Sequence, residues 1–172
     1  MKMKKINLLL LIIVLAAPPF LTGCWDNYDV SDVAIVTAIG IDKLEDGRLT
    51  MTWQILKPNS VQSGTEDSQA GKAYTNYTAA GLTLNEAHKE LIRISGRRPF
   101  YGHIQVLLIG EKLAWEGIEE VTDLFERQYE FSQSVKILMT QGMGAQQLLD
   151  AESDLEILPA VHLRNMVEAN TF

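Results

Sequence analysis

The sequence has few of the residues that build most catalytic and metal sites. It contains one cysteine and three histidines in 172 residues, so Cys24 has no partner for an internal disulfide. No cluster of cysteine and histidine has the spacing of zinc ligands. The short motifs of serine hydrolases, zinc proteases and nucleotide-binding loops are also missing. These absences argue against an enzyme, and we expect no catalytic residue, no cofactor and no metal ion.

The scarcity of positive charge and the absence of a long apolar run bear on the partners and the membrane topology of the protein. Positive charge is scarce, since 15 lysines and arginines stand against 22 aspartates and glutamates and give a net charge of −7. A nucleic-acid-binding protein needs a basic face to neutralise phosphates, so nucleic acid is not an expected partner. The apolar run over residues 6–17 is shorter than the ~20 residues with which a helix crosses a bilayer.

The N-terminus has the pattern of a secretory signal peptide. Lys2, Lys4 and Lys5 precede the run over residues 6–17, whose length fits a signal-peptide core of ~7–15 residues. The string Leu-Thr-Gly-Cys follows at residues 21–24 and resembles a bacterial lipobox. By that resemblance the Cys24 sulfur takes a diacylglycerol through a thioether, and cleavage before Cys24 makes it the new N-terminus. We therefore predict a lipoprotein signal peptide over residues 1–23 and lipidation at Cys24.

Acyl chains, rather than surface charge, are predicted to hold the mature chain at a membrane. Without the three leader lysines it would carry 12 cationic and 22 acidic side chains, a net charge of −10. A domain of this charge is repelled by anionic lipid. Two acyl chains suffice for stable attachment, because each buried CH₂ contributes ~0.8 kcal/mol.

The chain after the leader opens with patterns typical of β-strands. Residues 33–41 are rich in β-branched residues and predict a buried strand, and residues 48–56 alternate like its antiparallel partner. The Asp-Gly pair at residues 46–47 lies between them and is the strongest short-range hairpin signal. A third strand is predicted over residues 73–79, after a long polar loop over residues 57–72.

Helices alternate with strands in the rest of the chain. Thr83 and Glu86 have capping-box spacing at the start of a helix that ends at Gly96 and has one apolar face. That predicted face consists of Leu84, Ala87, Leu91 and Ile94. The later predicted strands lie over residues 103–109 and 134–140. A helical region is predicted over residues 111–129 with an interruption at Gly117, a short helix after Gly144 contains Leu148 and Leu149, and a last helix spans residues 159–168. The order predicts an α+β (α/β-like) domain, a mixed sheet opened by a hairpin with helices packed on it.

Few polar residues are candidates for binding. Asp42 follows the first strand, where site residues of open sheets often lie, although a turn is the commoner use of aspartate there. Arg97 and Arg98 lie in a predicted loop over residues 97–99 and could grip an acidic partner through their planar guanidinium groups, with a solvated loop as the simpler alternative. His88 is predicted to be a solvated residue of its helix. The acidic residues between 116 and 130 predict the wet face of an amphipathic helix.

Several segments, taken in order, resemble one protein family. The segments are Gly-Cys-Trp-Asp at residues 23–26, VTAIGID at 36–42, GHIQVLLIG at 102–110, Ala114, Glu-Gly-Ile at 116–118, Asp123, Arg127 and Lys-Ile-Leu at 136–138. Together they are similar to the N-terminal part of the Ger(x)C family, the lipoprotein C subunits of bacterial spore nutrient germinant receptors. The similarity follows the family's order over nearly the whole chain.

The resemblance implies a lipid-anchored, non-enzymatic receptor subunit that an endospore-forming bacterium needs for its germination response to nutrients. It implies integral membrane partners, the A- and B-type subunits, and a location on the outer face of the spore inner membrane. Residues 24–32 would be a membrane-proximal lead-in, and residues 33–172 the N-terminal domain without the family's downstream domains. The alternative function is a solute-binding lipoprotein of a membrane transporter.

Overall fold

A computed structural model describes residues 6–7, 32–57, 72–127, 134–151 and 156–170 of the chain. The chain separates into two compact units, residues 1–30 and residues 31–172, and the second unit contains a mixed sheet with helices on both of its faces. Cys24 and most of the predicted loop over residues 57–72 lie outside the described residues.

The second unit begins with the predicted hairpin. Strand β1 (Val33–Lys43) pairs antiparallel with β2 (Leu49–Leu56), and the turn between them is closed by the Leu44 N–H, which donates to the Arg48 carbonyl oxygen at 2.8 Å. Gly47 in this turn has a φ of 85°, which residues with a Cβ rarely adopt. Strand β3 (Tyr74–Gly81) then pairs antiparallel with β2. These three predicted strands are confirmed.

The strands on the other side of β1 run parallel to it. β4 (Arg98–Phe100) pairs with the start of β1, and β5 (Val106–Ile109) pairs with its second half. β6 (Lys136–Met139) pairs with β5, which gives the strand order β3-β2-β1-β5-β6.

Two predictions about this region were wrong in part. The loop predicted over residues 97–99 becomes a strand at Arg98, because the start of β1 offers it free backbone partners. The strand predicted over residues 103–109 begins only at Val106, because a turn precedes it in which the Ile104 N–H donates to the Tyr101 carbonyl oxygen at 3.2 Å.

Five helices complete the described part of the second unit. They are α1 (Leu84–Ser95), α2 (Glu111–Glu116), α3 (Glu119–Arg127), α4 (Ala145–Asp150) and α5 (Pro159–Ala169). α2 and α3 are separated at Gly117, the predicted interruption, where φ is 121°. The predicted α+β class, with a mixed sheet opened by a hairpin and helices packed on it, is confirmed.

Helix α1 begins with the predicted capping interaction. The Thr83 hydroxyl accepts from the Glu86 N–H at 3.2 Å, while the Glu86 carboxylate accepts from the N–H of Leu82, one residue before the cap position, at 2.8 Å. Three of the four predicted apolar positions of α1 are buried. Ile94 is 38% exposed, so its assignment to the buried face was wrong, because the last turn of α1 leads into the exposed Gly96.

The sheet separates two hydrophobic cores, because successive residues of a strand point to opposite faces. On one face, Ile39 and Ile41 of β1 join apolar residues of α1, α2 and α3, with Trp53 fully buried among them. On the other face, Ala38 joins Val106 of β5 and apolar residues of α4 and α5. β1 is buried on both faces, which explains why its sequence is apolar without alternation.

A fully buried amide ties α4 and α5 to the sheet. The Oε1 atom of Gln54 accepts from the Ala160 N–H at 3.2 Å and from the Thr37 hydroxyl at 3.3 Å, and its Nε2 donates to the Leu149 carbonyl oxygen at 3.3 Å. The residue before α5 is Leu158, which has no polar side chain to cap the helix. Gln54 therefore satisfies one of the four N–H groups that a helix leaves open at its start.

We predict that Gln54→Leu lowers the free energy of unfolding by about 2–4 kcal/mol, because it leaves the Ala160 N–H and the Thr37 hydroxyl buried without this partner. Gln146→Leu, at an exposed position of α4, is the matched control and should change it by less than about 0.5 kcal/mol. Equilibrium urea unfolding followed by circular dichroism measures both. Equal midpoints for Gln54→Leu and the parent chain would contradict the role given to this amide.

His88 packs against the core under α1, so the prediction that it is solvated was wrong. Its Nε2 lies 2.6 Å from the Tyr101 hydroxyl oxygen, and its ring meets the Trp53 ring edge to face with 5.5 Å between centroids. The correction follows from the packing of α1 on β2, which brings position 88 over Trp53. Burial lowers the pKa of His88, and the positive charge of Lys89 lowers it further.

This lowered pKa predicts a pH dependence of stability. The unfolded chain binds a proton on His88 near its ordinary pKa of 6.5, while the folded chain resists that proton to lower pH. The free energy of unfolding should therefore fall as the pH drops through 6.5 and level off below the folded-state pKa. Urea unfolding at a series of pH values should show this fall, and His88→Gln should reduce it, whereas His103→Gln at an exposed position should leave it unchanged. If the free energy of unfolding of His88→Gln falls with pH as much as that of the parent chain, other titratable groups cause the fall.

Candidate functional site

An open cleft of about 640 Å³ lies at the carboxyl ends of the parallel strands. Its lining combines the end of β1, the residues after β5 and the loop after β6, and it includes Asp42, Lys43, Glu111, Lys112 and Met143. In open sheets this is the place where ligands most often bind, and here β1 is also the strand at which the sheet changes from antiparallel to parallel pairing.

Asp42 occupies the place that a ligand's anionic group would take in this cleft. Its Oδ1 accepts from the Ala145 N–H at 2.7 Å and its Oδ2 from the Gln146 N–H at 3.0 Å, so it caps the start of α4 from a distant strand. Gly144, the residue before α4, has no side chain for this task. A Cβ on Gly110 would overlap the Asp42 carboxylate, so a glycine there leaves room for the cap.

The other charged groups of the cleft are also used within the chain. Glu111 accepts from the Gly142 N–H at 2.9 Å, Lys112 pairs with Glu45 at 3.3 Å, and Lys43 pairs with Glu116. Within the described residues, no group of histidine, cysteine and carboxylate side chains is arranged to hold a metal ion. These charged groups of the cleft thus have partners within the chain.

The structure places both sequence-predicted arginines at the opposite end of the sheet. Arg97 follows the end of α1, and Arg98 opens β4, where it is aligned with Val33 of β1. Both are exposed, and Phe100 of the same strand is 38% exposed. The structure does not bring the two arginines together with the cleft.

The acidic residues of α3 form the solvent-exposed face that the sequence predicts. Glu119, Glu120, Asp123 and Glu126 are exposed, while Val121 on the other side of the helix is buried in the first core. The Glu120 carboxylate also accepts from the Leu84 N–H at the start of α1, at 3.0 Å. Glu130, the last residue of the predicted stripe, lies outside the described residues.

Cys24, the predicted lipidation site, lies outside the described residues. In the part of the chain that the structure describes, no helix is long and apolar enough to cross a membrane. The lipidation of Cys24 therefore stays a prediction that rests on the sequence.

Sequence reasoning missed the two long-range caps. The position of Asp42 after a strand indicates a site residue or a turn former, and Gln54 lies in a strand pattern where nothing marks it as buried. One signal was present, because the helices that these residues cap follow Gly144 and Leu158, which have no side chain able to cap them. A helix start without a local cap indicates that a partner comes from elsewhere in the fold.

We predict that Asp42→Ala lowers the free energy of unfolding by about 1–2 kcal/mol, because α4 loses its cap. Gly110→Ala in the parent chain should lower the free energy of unfolding by about 1–3 kcal/mol, because the added methyl group displaces the Asp42 carboxylate. In a chain that already carries Asp42→Ala, Gly110→Ala should lower the free energy of unfolding by less, because the carboxylate that the methyl group would displace is absent. Urea unfolding of the four chains measures this coupling, with Asp123→Ala on exposed α3 as the control. Additive costs would contradict the proposed dependence of the cap on Gly110.

Comparison with known proteins identifies the family. The family model for the spore germination protein N-terminal domain matches residues 26–172. Spore germination protein KC of Bacillus subtilis (strain 168) is 29% identical over 155 residues, which cover 88% of this chain and 38% of that protein. Spore germination protein B3 of the same organism is 33% identical over 128 residues, which cover 73% of this chain and 33% of that protein.

The chain thus spans less than two fifths of the length of either relative. No solved structure matches it. Because the family model matches from residue 26 to residue 172, the chain belongs to the family of spore germination protein N-terminal domains.

Proposed function

We propose that this chain is a lipid-anchored subunit of a spore nutrient germinant receptor and that it acts by binding other proteins. One observation carries the proposal. The family match begins at residue 26, two residues after the cysteine of the lipobox-like string at residues 21–24. The germination domain therefore starts where a lipid anchor would end, as expected for a receptor component attached to a membrane.

The proposed partners are the integral membrane A- and B-type subunits, and the proposed location is the outer face of the spore inner membrane. Attachment through Cys24 confines the domain to the same membrane as these partners. Confinement raises the effective concentration of one protein near another, so even a weak interface is occupied.

The proposed role is non-enzymatic. The cleft beside Asp42 holds charges that pair within the chain, with Asp42 on the start of α4 and Glu111 on Gly142. A solute-binding lipoprotein would close two lobes around its ligand. The described strands of the second unit form a single sheet, and this favours the receptor subunit over the solute-binding alternative.

We further propose that Arg97 and Arg98 contact an acidic surface outside the chain. Both side chains are exposed, and the backbone of Arg98 is held in place by its pairing with Val33 of β1. Planar guanidinium groups suit carboxylate and phosphate partners because they donate two parallel hydrogen bonds.

The proposed anchor predicts that Cys24→Ser releases the chain from the membrane fraction of spores and impairs nutrient-triggered germination, because serine cannot form the thioether. Thr22→Ala keeps a small residue in the string and should behave like the parent chain. Mass spectrometry of the parent should show residues 1–23 removed and a diacylglyceryl group on Cys24.

Three outcomes bear on the proposal separately. An unmodified Cys24 would contradict the anchor. Normal germination of spores that lack the chain would contradict the receptor role. Failure of the lipidated chain to co-purify with integral membrane proteins from spores would contradict the proposed mode of action.

A further inference from the structure

Two large apolar side chains are exposed at the end of the sheet that carries the cleft. Trp115 of α2 is 84% exposed, and Leu82, which lies just before α1, is 74% exposed. Tryptophan is highly buried on average in folded proteins. Single exposed apolar residues are ordinary, whereas neighbouring ones mark surfaces that bind a partner.

The register of the sheet brings these two residues to the same end. Lys43, the last residue of β1, is aligned through β2 with Gly81, the last residue of β3. Two strand spacings of ~4.8 Å place these backbones about 10 Å apart. Leu82 follows Gly81 directly, and Lys43 pairs with Glu116, the neighbour of Trp115.

Carboxylates surround the exposed leucine. The Glu86 carboxylate accepts from the Leu82 N–H at 2.8 Å, and the Glu120 carboxylate accepts from the Leu84 N–H at 3.0 Å. The second contact places the start of α3 beside the start of α1. Apolar residues of α1, α2 and α3 share one core, so the three helices lie on the same face of the sheet.

The turn between α2 and α3 places another carboxylate close to the tryptophan. A Cβ on Gly117 would overlap the Glu119 carboxylate, so this group lies at the turn, two residues after Trp115. Exposed apolar and acidic side chains thus form one surface, which we call the Trp115 surface. It consists of Leu82, Glu86, Trp115, Glu116, Glu119 and Glu120, all of them exposed.

This end of the second unit has a strong negative charge. The segments 42–48, 82–86, 111–120 and 140–147 contain eight carboxylates and three cations, a net charge of −5. Extending the count to all residues of α1 and α3 leaves it at −5. Hydrogen bonds from backbone N–H groups satisfy some of these carboxylates without removing their charge.

The charge selects one kind of occupant for the exposed apolar residues. Anionic lipid and a second copy of this acidic chain would both be repelled. A cationic protein segment would be attracted, and lysine or arginine also binds the face of a tryptophan ring. Tryptophan is enriched among the residues that dominate the binding energy of protein interfaces.

We propose that the Trp115 surface binds a segment of a protein partner that combines apolar side chains with lysine or arginine. This step rests on the proposed function, in which the chain acts by binding other proteins. The apolar side chains of the segment cover Trp115 and Leu82. Its cations meet the carboxylates of Glu116 and Glu119.

Three short synthetic peptides test the chemistry of this surface. The first has leucines at helical spacing with lysines between them, the second has glutamate in place of lysine, and the third has serine in place of leucine. Fluorescence anisotropy of labelled peptide measures the dissociation constant for the purified chain. We expect the first peptide to bind at least about tenfold more tightly than the other two, and high salt should weaken its binding.

Matched variants assign this binding to the Trp115 surface. Trp115→Ala with Leu82→Ala should raise the dissociation constant of the first peptide at least about tenfold. Ile157→Ala with Met166→Ala removes apolar side chains that are 70% and 51% exposed elsewhere and should leave it unchanged. Equal binding by the two double variants would overturn the proposal, as would equal binding of the three peptides.

A second pair of variants tests the charge. Glu119→Lys at the start of α3 should raise the dissociation constant about fivefold or more. Glu126→Lys makes the same change of net charge near the other end of α3 and should raise it less than about twofold. Equal effects of the two variants would show that only the net charge of the chain matters, and would contradict a local site.

Cross-linking in spores identifies the occupant. Trp115→benzoylphenylalanine should cross-link, on illumination, to a protein segment that carries lysine or arginine among apolar residues, as read by mass spectrometry. Ile157→benzoylphenylalanine is the control and should not cross-link to that segment. Cross-links from position 115 only to phospholipid, to a second copy of the chain or to an acidic segment would overturn the proposal, and so would their absence.

Failure of this proposal and failure of the proposed function are distinguishable. The peptide measurements need no spores. Selective binding of the first peptide, together with normal germination of spores that lack the chain, would contradict the receptor role and leave the surface intact. Peptide binding without selectivity, in a chain that germination requires, would overturn the surface alone.

Discussion

The packing of one face of the sheet depends on polar side chains of strands that cap the starts of two helices. Asp42 of β1 accepts from the first N–H groups of α4, and Gln54 of β2 accepts from Ala160 of α5. The residues directly before these helices are a glycine and a leucine, which offer no side-chain acceptor. Buried N–H groups need hydrogen-bond partners, so α4 and α5 pack on the sheet at the positions where these two side chains accept from them. The register of the strands thus sets the positions of the helices.

The same arrangement explains why the crevice of the sheet is not an obvious ligand site. In open sheets, a ligand's anionic group often sits on the N-terminus of a helix at the carboxyl end of a strand. Here the Asp42 carboxylate of the chain itself takes that position. Small residues around it allow α4 to approach β1 closely. A Cβ on Gly40 would lie 3.2 Å from the Ala145 Cβ and 3.1 Å from the Leu149 side chain, so α4 approaches β1 closely. The chemistry of this domain is therefore better sought on its surface.

The charge of that surface is uneven, and the net value hides this. A net charge of −7 favours repulsion from anionic lipid and from nucleic acid. The short strand β4 nevertheless holds Arg98 beside the entry of the chain, while the carboxylates of α3 lie near the start of α1. The net charge of the chain therefore does not describe either end of the domain.

The class of fold, the hairpin and the starts of helices with their own capping signals could be predicted from the sequence. Asp-Gly at residues 46–47 and the capping box of Thr83 act over a few residues, so their effect can be predicted without the rest of the chain. The family resemblance also came from the order of local segments. The capping roles of Asp42 and Gln54, the partial burial of His88 and the strand at Arg98 could not be predicted in this way. Each of these depends on a partner far away in the chain, and such partners meet only when the sheet has formed.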